Sequence, residues 1–563
     1  MKMVRLMLDT CHCAVRVRLV LGLIASAVIV AGVAPAAADK MDDSSDLVLY
    51  DGKISTVDAN NSTVEAIAIR DGTIIAKGGS REVRALATKS TRQINLNGRR
   101  VLPGLIDGHL HGMRNAYHCF TQTVRLDLVT SRTEALATYA AKAASLSPGR
   151  WIWTTSGGWN LNQLDTPAVF TFNELSAAAP NNPVWIQGSG VTGTRVNQAA
   201  LTALGLSAGS PGVVLDANGQ PTGQLEAPAT TLANQAIIAQ LDSLTLEQRA
   251  ACLARFMREV NRRGMTAWKD AGGNQAPWGS GAAEIGDRFN VREPTMHLYR
   301  SGGFTVRIAY HDMSNYQGFQ QVLLDTRTRV APLGDDMFRY MGPGEDTMAT
   351  DKDYSDYTRY AASKRFSVET HVGDLDAILT GFEAGNAVYP ISQLIWMIAH
   401  PDNGQPNDTQ LDRASALGIG YHLTFSGVRN GQTGPRFRST MESGVRMCLA
   451  SDAMNVSPYA PFQNLWYVTT GQTLLPGVSG VPVAQRLTRE EALRHATVEC
   501  AWFLGQEGRL GSLEVGNHAD LIVLTDDYFA VADNAIKDIR SVLTVVAGRI
   551  VYADAEYTGL EQN

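Results

Sequence analysis

The chain has 563 residues, a formal net charge of −6, and 44% hydrophobic against 18% charged residues. This is the balance of a globular protein long enough for one large barrel and an accessory domain. The acidic balance speaks against nucleic acid as a partner, because phosphate binding rests on neutralisation by Lys and Arg. Its six cysteines are too scattered for a disulfide-stapled scaffold or a zinc ribbon.

Arg16 and Arg18 precede an uncharged stretch, Leu19 to Val33, which runs into Ala36-Ala37-Ala38 before Asp39. A charged segment, a short apolar run and small residues at its end form the pattern of a secretory leader, and the run is too short to span a membrane comfortably. We expect cleavage after Ala38, export to the periplasm or beyond, and no stable membrane insertion afterwards. Lys2, Arg5, Arg16 and Arg18 against Asp9 would leave with residues 1–38, taking the formal charge from −6 to −9. Cys11 and Cys13 would leave too. The remaining Cys119, Cys252, Cys448 and Cys500 read as buried free thiols, although export permits a bridge.

From Asp46 to about Arg99 the sequence reads as short β segments: Asp46–Tyr50, Lys53–Val57, Ala66–Arg70 and Thr73–Lys77. Asp51-Gly52 and Asp71-Gly72 between them are hairpin turn signals. A long alternation of helical and strand patterns follows, which implies a parallel α/β architecture. Arg132–Ala144 is helical and Pro183–Gln187 a strand. Leu246–Arg263 is an amphipathic helix, with Thr245 and Gln248 at capping-box spacing. Thr305–Tyr310 and Asp336–Gly342 read as further strands. Residues 151–240 exceed what a minimal barrel needs. Near the end, Gly511–Gly516, Ala519–Leu524 and Val542–Tyr552 return to β character.

The chemistry concentrates at Val101–Met113. Val101 to Ile106 is an apolar run of strand length that ends in Asp107-Gly108-His109-Leu110-His111. Residues i and i+2 of a strand share a face, so His109 and His111 point the same way and can share one metal ion. Alone, so short a motif reads more readily as two satisfied polar groups. Its company matters more: His371 in Val-Glu-Thr-His-Val-Gly-Asp, His400 in Trp-Met-Ile-Ala-His-Pro and Asp452 in Cys-Leu-Ala-Ser-Asp-Ala each follow a strand-like run. Active sites of parallel barrels collect at the C-terminal ends of strands, which is where each of these residues falls.

Pro-Gly-Leu-Ile-Asp-Gly-His-Leu-His, followed in order by His371, His400 and Asp452, resembles the amidohydrolase superfamily. Within it the chain is most similar to amidohydrolase family 3, the branch of the N-substituted formamide deformylases. The resemblance implies a (β/α)8 TIM-like barrel over residues 104–505, with an insertion at about 151–240. It also implies a flanking β-sandwich built from both chain ends, residues 39–103 and 506–563. His109 and His111 would bind a first divalent ion, by default zinc. His371 and His400 would bind a second ion or touch the substrate. Asp452 would ligate metal, take the proton of the attacking water and pass it to the leaving amine.

One position departs from that pattern. Where related binuclear enzymes place a carbamylated lysine, the segment Met337–Gly344 carries Arg339, and a guanidinium stays cationic and does not form that carbamate. Arg339 is left with a substrate-facing role. Lys269, near the end of another strand, is a replacement bridge if carbamylated, or else it pairs with Asp270 or another acid. Glu345 is a weaker substitute, and without either a single-metal site is the simpler reading. Trp159 and Glu226 are expected in a lid over the site, against the alternative of an exposed turn. The implied reaction is hydrolysis of a small molecule at a non-peptide carbon–nitrogen bond. A non-catalytic binding relative and an esterase or lactonase with the same centre are the other readings. A homo-oligomer is left open.

Overall fold

The computed structural model describes residues 46–562 apart from 115–120, 128, 155–158, 187–193, 273–287, 313–330, 346–353, 402–404, 426–432, 454–456 and 476. The expected leader therefore lies outside the described residues, as does His118. Among those described, no helix is long and apolar enough to cross a membrane.

Eight short parallel strands carry the candidate site. β1 (Leu105–Leu110), β2 (Met265–Asp270), β3 (Arg307–Asp312) and β4 (Phe338–Pro343) pair side by side in one sheet. β5 (Glu369–His371), β6 (Met397–Ala399), β7 (Gly420–Leu423) and β8 (Arg446–Leu449) form a second. A parallel bridge from Leu110 to Ala453 joins β1 to the segment after β8. β1 and β2 are buried along their whole length, as strands with both faces covered must be. The close spacing shows at Gly108, where a Cβ would stand 2.4 Å from Cys448 Sγ. Gly108→Ala is accordingly expected to cost about 1–3 kcal/mol through overpacking, read as a lowered melting temperature. An unchanged melting temperature would mean that β1 can move away from β8.

The helices follow the sequence closely. Arg132–Ala144 forms as expected, with Ser131 accepting the Glu134 N–H. Leu246–Arg262 begins at a complete capping box: Thr245 Oγ1 accepts Gln248 N–H at 3.3 Å and Gln248 Oε1 accepts Thr245 N–H at 2.9 Å. A strand forms at Val184–Ile186, whereas the next expected one is shifted to Arg307–Asp312. Within the expected insertion, five short strands between Ile152 and Leu225 make a separate sheet.

The two ends of the described chain meet in one sheet. Arg100–Pro103 pairs antiparallel with Leu521–Leu524, Val101 opposite Val523. Ser541–Val546 and Arg549–Ala553 continue that sheet on one side, Lys53–Ser55 and Thr63–Val64 on the other. Leu47–Tyr50, Ala66–Arg70 and Thr73–Gly78 belong to a second sheet, whose Leu49 and Ile69 share a core with Val101 and Val523. Asp71-Gly72 turns as expected, both residues having positive φ (48° and 72°). Asp51-Gly52 instead connects strands of different sheets. Gly511–Gly516 makes turns and bends rather than a strand, with Gly511 and Gly516 at φ 87° and 95°, outside extended backbone.

The expectation of free thiols is corrected at three of the four cysteines, the fourth, Cys119, lying outside the described residues. Cys448 on β8 and Cys500 in the helix Val498–Phe503 form a disulfide with Cα atoms 4.8 Å apart, and Cys252 is also disulfide-bonded. A sequence separation of 52 residues is no recognisable spacing, so only the fold reveals the pair.

Candidate metal centre

β1 places its histidines by strand parity and then pins its own end. Asp107 Oδ1 accepts the His109 N–H at 3.1 Å and the Ser451 N–H at 3.0 Å, and burial raises this carboxyl to about 6. Asp452 N–H donates to the His109 carbonyl and His111 N–H to the Ala453 carbonyl, both at 2.8 Å. Asp270 fixes the next turn, its carboxylate accepting Met113 N–H, Gly272 N–H and Trp268 Nε1–H at 2.8–3.0 Å.

The structure brings together four of the predicted histidines, Asp452 and Glu345. Four sets have ligand atoms within 4.8 Å of one another: His109, His111 and Glu345; His109, His400 and Asp452; Glu345, His371 and His400; and, deeper, His109, Glu369 and His422. Glu345 stands between the histidine pairs. Its Oε2 lies 3.5 Å from His109 Nε2 and 3.7 Å from His111 Nε2, while Oε1 lies 2.8 Å from His400 Nε2 and 3.9 Å from His371 Nε2. Asp452 Oδ1 is 3.2 Å from His111 Nε2 and 3.6 Å from His109 Nε2, and Oδ2 is 3.7 Å from His400 Nε2. The His371 side chain is 36% exposed, whereas those of His109, His111 and His400 are at most 5% exposed; the cluster opens to solvent on the His371 side.

The donor set fits a divalent metal. His109 Nδ1–H donates to Glu369 Oε1 at 2.8 Å, His111 Nδ1–H to the Gly272 carbonyl at 2.8 Å and His371 Nδ1–H to the Val372 carbonyl at 2.6 Å. A neutral imidazole held through Nδ1–H turns an unprotonated Nε2 to its other side, the arrangement of a metal-ligating histidine. His109 Nε2 is fully buried and makes no hydrogen bond among the described residues. Burial also lowers the pKa values of His111 and His371, favouring the neutral form that metals bind. Burial alone would raise Asp452 and Glu345, but the surrounding histidines outweigh it and hold both carboxyls well below their usual range. Backbone geometry marks the same place: His400 and Asp452 have φ of 36° and 48°, a left-handed conformation that costs a side chain of order 1–3 kcal/mol.

Lys269 lies beside this ligand set, and the other predicted residues are held elsewhere. Lys269 is fully buried and forms an ion pair with Glu369 rather than with Asp270. Arg339 is the second residue of β4, at the end of that strand remote from Glu345, and its guanidinium donates to the Gly505 carbonyl at 3.0 Å and Asp336 Oδ1 at 2.9 Å. Trp159 is buried in a cluster with Phe170 and Leu161, and Glu226 is exposed. The described contacts do not bring Arg339, Trp159 or Glu226 to the histidines. Conversely, Glu369, His311 and His422, which the sequence reading leaves out of the site, are fully buried close to it. Glu369 carries a signal that could have found it: it lies two residues before His371 and so shares its strand face.

Histidines and carboxylates gathered at the C-terminal ends of parallel strands define a metal-dependent hydrolase with a TIM-barrel-like α/β fold. The chain belongs to the amidohydrolase family, whose family model matches residues 92–552. It is 24% identical over 562 residues to the N-substituted formamide deformylase of Arthrobacter pascens, covering 91% of this chain and 99% of that one. A stretch of 196 residues is 31% identical to the putative amidohydrolase YtcJ of Bacillus subtilis, covering 34% of this chain and 36% of the relative. An uncharacterized metal-dependent hydrolase from Pyrococcus horikoshii OT3 shares the fold at a TM-score of 0.59 and 19% identity, over 87% of this chain and 99% of its own.

Proposed function

We propose that the protein hydrolyses an N-substituted amide or formamide of low molecular weight, with zinc as its metal and Glu345 as the ligand common to two ions. The observation that carries this reading is the Glu345 carboxylate, one oxygen turned to His109 and His111 and the other to His371 and His400. A divalent ion held there supplies a water acidified towards neutral pH and an electrophile for the carbonyl oxygen. Asp452 accepts a proton from the water as its oxygen bonds to the carbonyl carbon, and returns that proton to nitrogen as the C–N bond breaks. A carboxylic acid, or formate, and an amine result. His400, beside Asp452 and Glu345, orients the carbonyl. The likeness to the Arthrobacter pascens enzyme over nearly its whole length supports the choice of substrate class.

A carbamylated Lys269 is a second reading for the bridge. Burial lowers its amine to about 7, and a neutral amine is the form that takes up CO2; the ion pair with Glu369 works against it. We further propose that the two sheets at the chain ends form one flanking β-sandwich, and that residues 1–38 direct export, for which the Cys448–Cys500 disulfide is support because such bonds persist in oxidising compartments.

Metal content per chain, with turnover on matched N-substituted formamides, larger amides and esters, tests the function. Two ions and a preference for the formamides are expected. No bound ion after zinc reconstitution, or turnover of esters alone, would sink it.

A further inference from the structure

The barrel interior next to the histidines is charged where an apolar layer would serve the fold as well or better. Lys269 of β2 and Glu369 of β5 are fully buried and paired with each other. His422 of β7 and His311 of β3 flank the same carboxylate, with Nδ1 atoms 3.1 Å from Oε1 and 3.9 Å from Oε2. None of these four takes part in the reaction set out above. We propose that the Lys269–Glu369 couple is a positioning device that fixes the tautomer and orientation of His109, and through it the metal centre.

Glu369 divides its oxygens between two tasks. Oε1 accepts the Nδ1–H of His109 at 2.8 Å, and Oε2 faces the Lys269 ammonium. A carboxylate so placed accepts from Nδ1–H and leaves His109 only Nε2 to offer as a lone pair. That nitrogen points into the gap between Glu345 Oε2 and Asp452 Oδ1, at 3.5 and 3.6 Å. His109 belongs to three of the four sets of potential ligands, so its orientation bears on the centre as a whole. Lys269 in turn restrains Glu369. Gly344 seats the neighbouring chain on the same residue: its φ is +144°, and a Cβ there would come within 2.7 Å of the Glu369 Cβ. The segment that delivers Glu345 is thus packed against the carboxylate that orients His109.

The inference rests on the metal reading, and its test separates the two. Zinc affinity is measured by chelator competition for the wild-type protein, Glu369→Gln, Lys269→Met and the double variant. The Co(II) absorption spectrum and the melting temperature of each metal-free protein accompany it. Both Glu369→Gln and the double variant are expected to bind zinc about 10–100-fold more weakly, with an altered cobalt spectrum. The double variant, whose layer is neutral, should keep the wild-type melting temperature and so separates positioning from folding. A double variant with wild-type zinc affinity and cobalt spectrum would overturn the proposal. Loss of one ion in Lys269→Met, together with loss of a CO2 adduct from the Lys269 peptide, would overturn it in favour of a bridging lysine. A wild-type protein that binds no divalent ion would overturn the metal reading, and this inference with it.

Discussion

Asp452→Asn is expected to lower kcat by about 10²–10⁴-fold, the usual contribution of a positioned acid–base group, with KM little changed. The side chain stands 3.2 Å from His111 and 3.7 Å from His400, and the histidines around it keep it ionised although it is buried. An amide in its place retains one oxygen as a ligand but cannot accept the proton of the attacking water. Metal content should therefore stay near that of the wild type while turnover collapses. Steady-state kinetics with parallel metal analysis reads both quantities. A kcat within threefold of the wild type would remove Asp452 from proton transfer and pass that task to His400.

The second large effect is expected at Glu345. Glu345→Ala should reduce the metal content from two ions to one and lower kcat/KM by ~10³-fold, equivalent to about 4 kcal/mol of lost transition-state stabilisation. Glu345→Asp should fall almost as far, because a carboxylate one methylene shorter cannot stay 2.8 Å from His400 and also reach the 3.5 Å separation from His109. Retention of both ions in Glu345→Ala would return the bridging role to Lys269.

Much of this centre was legible before any coordinates. His109 and His111 follow from strand parity, and His371, His400 and Asp452 from their place after apolar runs. Which acid stands between the histidines did not follow. Glu345 lies two residues beyond the end of β4, where no periodicity fixes the direction of a side chain, and the Cβ-free backbone of Gly342 and Gly344 is what lets the chain pass close to Ser367 and Glu369. Lys269 lies on a strand near the site, as expected, yet its partner lies on β5, a hundred residues away in sequence, and only the tertiary fold brings them together. The lid expected of Trp159 and Glu226 rests on likeness to an insertion in related enzymes, which says nothing about the depth of a particular side chain. Arg339 was placed by its likeness to a lysine position, and strand direction puts its guanidinium at the other end of β4. The Cys448–Cys500 pair depends on the meeting of a strand with a helix, which no spacing encodes.

The pairing of Val101 with Val523 has a consequence for how the molecule forms. The strand that leads directly into β1 has one neighbour, Lys53–Ser55, already made, but finds the other only after more than four hundred further residues, a separation that places the protein among slow-folding, high-contact-order topologies. Until Leu521–Leu524 arrives, Arg100–Pro103 presents one unpaired edge beside the buried strand β1, the kind of surface on which incomplete chains associate. A polypeptide released before Leu521 should therefore be lost to aggregation rather than survive as a folded domain lacking only its last strands.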